Sequence, residues 1–392
     1  MTLTQTLDAT LAATLDGALA TIPGAVAMAT DARATFYEGC VGTRDLAGRV
    51  PLTADTMFGL ASMTKALVSA QAMAAVDDGM LSLDAALSEV LPALAAPLML
   101  EGFAEDGSPR LRPARGAITL RQVLSHSAGF GYDTWNAEIG RFLKHQGMGR
   151  TPANAEELAA TPLLFDPGTG WNYGINTDVA GLAVEAVTGQ RLDVALREGI
   201  LGALGMGDTT VLMTGEQRQR LVSTRTRATG GGYGDAGFVM DRGIGYCLGG
   251  GALHGTGRDY LRFIRMILNG GMHEGQRLLS PAATAAMSRN QLAPGVRVRP
   301  MISANPAYSA DAEFFPGMEK HWSTAFMITT APAPTGRRAG SLAWAGICNT
   351  YCWIDPAAGI GGVFMSQLLP FADPAVLAAF AAFETAVYAG RG

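Results

Sequence analysis

Ser62, Met63, Thr64 and Lys65 put a hydroxyl and an amine three residues apart. On a helix, positions i and i+3 share a face, so the two side chains can meet. A serine hydroxyl is a weak nucleophile until a base takes its proton. A lysine is that base only when neutral, and burial in apolar surroundings favours the neutral form. The segment that follows, Ala66 to Val76, is apolar on almost every face and reads as a buried helix. Ser62 at its start would feel the positive end of the helix dipole, which favours developing negative charge. Lysine is scarce, with only Lys65, Lys144 and Lys320 in the chain, so a lysine inside an apolar helix calls for a chemical reason.

Tyr173 lies in Gly168-Thr169-Gly170-Trp171-Asn172-Tyr173-Gly174. A phenol after a glycine-rich turn can share proton traffic with a Ser–Lys pair, although a lone tyrosine more often only packs. Trp344-Ala345-Gly346-Ile347 reads as a strand whose small residues let a ligand approach the backbone. If it lies beside the serine helix, the amides of Ser62 and Ile347 can form an oxyanion hole; otherwise it is a plain core strand. Tyr132, Trp135, Phe314 and Phe315 either line an acyl pocket or pack. His126 and His254 read as structural histidines, and Asn176, Thr177 and Asp178 as helix caps. Gly-x-Ser-x-Gly, His-Glu-x-x-His, a phosphate-binding loop and a dinucleotide fingerprint are all absent from the sequence.

The elements needed to hold these residues are legible in outline. Leu3 to Leu19 reads as an amphipathic helix, followed by two β-like runs, Gly24–Ala29 and Thr35–Val41, around a turn at Asp31–Arg33. The helix from Ser62 to Asp78 should stop at Gly79. Between Leu83 and Gly243, Arg121–His126 and Val179–Val187 read as helices, and Glu105–Gly116 and Gly230–Gly237 as loops. Thr256 with Asp259 looks close to a capping box, opening a helix that runs through Phe263 and Ile267 to Gly270. Thr324–Thr329, Ser341–Gly346, Tyr351–Ile354 and Gly361–Ser366 read as antiparallel strands, and Ala375–Tyr388 as a closing helix. The expected class is α/β in loose usage, α+β more strictly. It has an antiparallel sheet flanked by helices, drawn from residues 1–85 and 245–392, with a mainly helical insert over 86–244.

The chain has 392 residues, 48% hydrophobic and 16% charged, which supplies a large core. A net charge of -5 without a basic run argues against nucleic acid. The first 21 residues carry Asp8 and Asp16 and no Lys or Arg, and no apolar run reaches membrane length, so a cytoplasmic protein without membrane association is expected. Cys40, Cys247, Cys348 and Cys352 match no zinc spacing and read as free thiols, with Cys348 and Cys352 on one face of a strand. A mean hydropathy of +0.18 permits an apolar interface but leaves the oligomeric state open.

Ser62-Met63-Thr64-Lys65 is followed in order by Leu124-Ser125-His126-Ser127-Ala128-Gly129-Phe130 and by Asp166-Pro167-Gly168 with Tyr173. Gly249-Gly250-Gly251 with Thr256-Gly257-Arg258-Asp259 completes the series. Together these resemble the class C β-lactamase-like superfamily of serine hydrolases, and most closely its family VIII carboxylesterases. The resemblance implies a site between the two parts of the chain. In it Ser62 is acylated, Lys65 holds the serine proton, Tyr173 acts with Lys65 as general base, and the amides of Ser62 and Ile347 receive the oxyanion. Two departures stand out: Ile175 occupies the place of the asparagine of true β-lactamases, with Asn176 one place late, and Trp344-Ala345-Gly346 replaces their Lys-Thr-Gly. A tryptophan cannot pair with a substrate carboxylate as a lysine can. Hydrolysis of short-chain esters without metal or cofactor is the resulting expectation, with a small-molecule ester as the partner. An acyltransferase, an amidase or weak β-lactamase, and a non-catalytic binder on the same fold are the alternatives.

Overall fold

The computed structural model describes residues 22–148, 155–228, 231–238 and 248–390, together with Ala9. The expected helix over Leu3–Leu19, and Cys247, lie outside the described residues. Seven strands carry the main sheet: β1 Gly24–Asp31, β2 Thr35–Gly42, β3 Lys320–Trp322, β4 Met327–Thr329, β5 Leu342–Gly346, β6 Thr350–Asp355 and β7 Ile360–Met365. Their order is β3-β4-β5-β6-β7-β1-β2, every neighbouring pair antiparallel. The two ends of the chain therefore meet at the β7–β1 seam, where Val26 pairs with Met365 and Asp31 with Ile360.

Five helices position the site: α1 Thr64–Asp77, α2 Leu120–Leu124, α3 Asn176–Thr188, α4 Gly257–Leu268 and α5 Pro374–Ala389. Strands β6 and β7 are buried along their whole length, which fits apolar runs covered on both faces. Side chains alternate across a strand, and the register shows which face each one meets. Trp344, Cys352, Val363 and Met28 are cross-strand partners on one face. Helix α4 lies on that face so closely that a Cβ on Gly257 would come within 2.9 Å of the Met28 sulfur. Tyr351, Phe364 and Ala27 line the opposite face, where Phe380 of α5 stacks on Tyr351, and Phe380 and Phe383 pack against Trp353 and Phe364.

Among the described residues the expected strands and helices are present, although the strand expected over Thr324–Thr329 starts only at Met327, and there are corrections at the polar segments. Pro109–Pro113, expected within a loop, is a strand paired antiparallel with Leu98–Phe103. The Asp106 carboxylate accepts from the Ser108 amide at 2.9 Å and Gly107 sits at φ +86°, so the polar residues are a hairpin turn rather than a long loop. Tyr233–Asp235, also expected as loop, pairs with Arg225–Arg227. Cys348 lies in the turn after β5 and not on a strand with Cys352. Gly79 stands at φ +73° just past α1, as its stop position requires. No helix of the described residues is long and apolar enough to cross a membrane.

Candidate active site

The polypeptide enters α1 through a single 3₁₀ turn, Ala61–Met63, with Ala61 at φ +47°. A non-glycine residue there carries strain of about 1–3 kcal/mol, which the surroundings must over-determine. The Leu60 amide donates to the Leu253 carbonyl at 2.9 Å, and the Leu253 amide donates to the Thr64 hydroxyl at 3.1 Å. From α4, the Tyr260 hydroxyl donates to the Met63 carbonyl at 3.0 Å. These three bonds hold the Ser62 turn from both ends. Ser62 stays half-buried, while Lys65 is buried.

Lys65 Nζ donates to Ser62 Oγ at 3.1 Å, to the Tyr132 hydroxyl at 3.1 Å and to the Gly250 carbonyl at 2.7 Å. Tyr132 OH donates in turn to Asp178 Oδ2 at 3.5 Å, and Asp178 Oδ1 accepts the Gly250 amide at 2.9 Å. Burial pushes the Asp178 carboxyl above its ordinary range, while Lys65, then the Gly250 and Tyr132 bonds, draw it back. His126 is held well below the usual histidine range by burial first and by Lys65 second, so it is neutral. Its Nδ1 meets the Asn176 amide nitrogen at 3.1 Å. Asn176 also donates to the Phe130 carbonyl at 3.4 Å, tying α3 to the loop that carries Tyr132. That loop crosses Gly174 so tightly that a Cβ there would meet Phe130 O at 2.4 Å.

Strand β5 abuts the serine turn. A Cβ on Gly346 would lie 2.4 Å from the Leu60 carbonyl and 2.3 Å from Thr350 Oγ1. The strand thus lies beside the serine element, as an oxyanion hole from Ser62 and Ile347 requires, with Ile347 in the turn just beyond it. Trp344 is buried and its indole N–H donates to the Tyr173 hydroxyl at 3.1 Å. Tyr173 faces Lys65 with its ring, whose centroid is 4.9 Å from Nζ. Tyr173, expected to act with Lys65, thus meets it through its ring, and the phenol oxygen on Lys65 is that of Tyr132. The indole N–H of Trp344 meets the Tyr173 oxygen instead.

Trp135 packs on Tyr173 and Tyr132, and Phe314 on Trp344, so these aromatics do border the site. Phe315 does not join them; the Arg337 guanidinium lies over its ring. Asn176, Thr177 and Asp178, expected as caps, lie inside the first turn of α3, and its N-cap Ile175 makes no side-chain bond. Burial of all three turns them inward, where Asp178 meets Gly250 and Tyr132 instead. Thr256 does cap α4 through the Asp259 amide, whereas the Asp259 carboxylate accepts from Asp208 and Thr209 rather than closing a box. The roles of Asp178 and Gly250 were not read from the sequence. The available signal was Gly249-Gly250-Gly251, none of which has positive φ. Gly249 and Gly250 serve close approach: a Cβ would meet Thr177 O at 2.6 Å from Gly249, and Asp178 Oδ2 and Tyr132 OH at 2.7 Å from Gly250. Among the described residues no group of three or more His, Cys, Asp or Glu could hold a metal ion.

The family model for Beta-lactamase matches residues 11–387, and the chain belongs to that family. Among curated relatives, a monacolin J acid methylbutanoyltransferase from Aspergillus terreus is 31% identical, covering 94% of this chain and 92% of its own. A lovastatin esterase from Penicillium rubens is 37% identical over 74% of this chain and 73% of its own. The solved structure of unliganded simvastatin synthase from Aspergillus terreus superposes with a TM-score of 0.84 at 28% identity, covering 99% of this chain and 98% of that one. The fold is thus that of the β-lactamase-like serine hydrolases, and the chain is an enzyme of that group, which includes both esterases and acyltransferases.

Proposed function

We propose that this enzyme is a serine carboxylesterase for short-chain esters, working through an acyl-enzyme on Ser62. The observation that carries this reading is the approach of Lys65 Nζ to Ser62 Oγ at 3.1 Å, with Lys65 buried and Ser62 only half-buried. In its neutral form Lys65 takes the Ser62 proton as Oγ bonds to the ester carbonyl carbon. The carbonyl electron pair moves to oxygen, where the amides of Ser62 and Ile347 receive it; the approach of Gly346 to Leu60 supports this placement. The ammonium returns the proton to the departing alcohol, with the Tyr132 hydroxyl beside it. Water then repeats the sequence and frees the acid. The aromatic border formed by Tyr132, Trp135 and Phe314 supports a short acyl group.

A second reading, transfer of the acyl group to an alcohol acceptor, is favoured by the methylbutanoyltransferase relative. It shares every step up to the acyl-enzyme and differs only in what attacks it.

Reaction with p-nitrophenyl butyrate, quenched and digested, should show a butyryl adduct on the Ser62 peptide. Ser62→Ala should keep less than about a hundredth of wild-type kcat while remaining folded. Retention of more than that, or an adduct elsewhere, refutes Ser62 as the nucleophile. Faster turnover of a long-chain ester than of acetate or butyrate refutes the short acyl preference. Turnover that rises with added alcohol, with ester and not acid as product, decides for transfer.

A further inference from the structure

Two separate routes connect Lys65 to one buried carboxylate. Along the first, Lys65 donates to the Tyr132 oxygen at 3.1 Å and Tyr132 donates to Asp178 Oδ2 at 3.5 Å. Along the second, a single peptide does the same work: the Gly250 carbonyl accepts from Lys65 at 2.7 Å, and the Gly250 amide donates to Asp178 Oδ1 at 2.9 Å. Each oxygen of the carboxylate thus serves a different route. The space between them is closed as well, since any Cβ on Gly250 would lie 2.7 Å from both Asp178 Oδ2 and Tyr132 OH. Asp178 itself is almost wholly buried.

We propose that Asp178 is the positioning carboxylate of the Ser62–Lys65 pair, acting on Lys65 through the Tyr132 hydroxyl and the Gly250 peptide. This rests on the reading of Ser62 and Lys65 given above and names the third member that orients the base. When Lys65 takes the Ser62 proton, an ammonium forms on a buried side chain, and an unpaired buried charge is costly. The carboxylate stands one group away along both routes and balances that charge without taking the proton. The Gly250 peptide points its carbonyl at the ammonium because its amide is held by Asp178. The logic is that of a nucleophile, a base and an orienting acid, with a lysine as the base.

The charged and titratable groups facing Lys65 are few. Tyr132 and Tyr173 approach from the loops before α3, Asp178 from α3, and His126 from the end of α2. His126 is neutral, because burial and Lys65 hold it well below its usual range. The acid limb of the rate profile therefore does not report His126, and it answers to the charge of the Asp178 carboxyl in contact with the Lys65 cage. Its sign follows from Coulomb's law: a carboxylate nearby favours the ammonium, so removing it moves the limb to lower pH.

Asp178→Asn keeps the shape and removes the charge. Expected are a kcat lower by about 10- to 100-fold and an acid limb of kcat/KM moved down by about one pH unit, with KM little changed. The burst of p-nitrophenol counts competent sites, so misfolded protein does not enter the rate. If Asp178→Asn does not accumulate, Gly250→Ala replaces it, because its methyl group parts Tyr132 from Asp178 and should move the limb the same way. An acid limb that stays where it is, whatever the change in rate, overturns the proposal and leaves Asp178 a structural residue. The two readings fail differently. Absence of a Ser62 adduct in the wild type overturns the proposed function, and this inference with it. A wild-type adduct with an unmoved limb in the variant overturns this inference alone.

Discussion

An ammonium has three protons to place, and Lys65 has three acceptors: Ser62 Oγ, Tyr132 OH and Gly250 O. A neutral amine in the same cage would donate twice and accept the Ser62 proton, so the cage suits both states of a base that shuttles one proton. The two tyrosines divide the remaining work. Tyr132 gives its oxygen to Lys65, and Tyr173 gives its ring to Lys65 and its oxygen to Trp344. Tyr132→Phe should therefore lower kcat by about a hundredfold or more. Tyr173→Phe loses a neutral hydrogen bond at the wall and should cost less. Steady-state rates of the two variants on one ester check the order, and a larger loss at Tyr173 would return the proton role to it.

Among elements, the serine turn and β5 define the reaction space together, with Gly346 where they touch. A methyl group at Gly346 would sit 2.4 Å from Leu60 O and 3.2 Å from the Ala61 Cβ, so one element must move off the other. Loss of one oxyanion donor costs about 10²–10³ in kcat, and Gly346→Ala should show a loss of that order with an intact far-UV spectrum. Near wild-type turnover would mean that the Ile347 amide, just beyond β5, is no oxyanion donor. The serine helix was legible because Ser62, Lys65 and an apolar run are local signals, as were the inner strands from β-rich runs between turns. Asp178 was not legible, because an acidic residue in a first turn is the ordinary mark of a cap, and only tertiary burial shows it turned inward. The choice between Tyr132 and Tyr173 was equally hidden, because it depends on which oxygen the indole of Trp344 reaches across the fold.

At the scale of the whole molecule, the site is assembled from segments far apart in sequence. The β7–β1 seam joins residues 360–365 to 26–31, and the serine turn is braced by Leu253 and Tyr260. Its stability then depends on ties that close the C-terminal end onto the sheet. One such tie is Arg337, in the connection between β4 and β5, bonded to Glu384 on α5 with both side chains almost fully buried. Arg337 also lies over the rings of Phe315 and Phe380. A contrasting tie is Arg258 of α4 with Glu38 of β2 at 2.7 Å, both partly exposed. Breaking a buried pair by removing one partner typically costs about 3–5 kcal/mol, because the other charge is left unpaired in the interior. An exposed pair contributes about 0–1 kcal/mol, because water screens it. Glu384→Gln should thus shift urea unfolding by several kcal/mol, whereas Glu38→Gln should barely move it. The double variant Arg337→Met/Glu384→Leu should recover much of the loss, because the charge and its burial cost leave together. If Glu384→Gln unfolds within about 1 kcal/mol of the wild type, Arg337 is satisfied without Glu384, and the ion pair is not what holds α5 to the sheet.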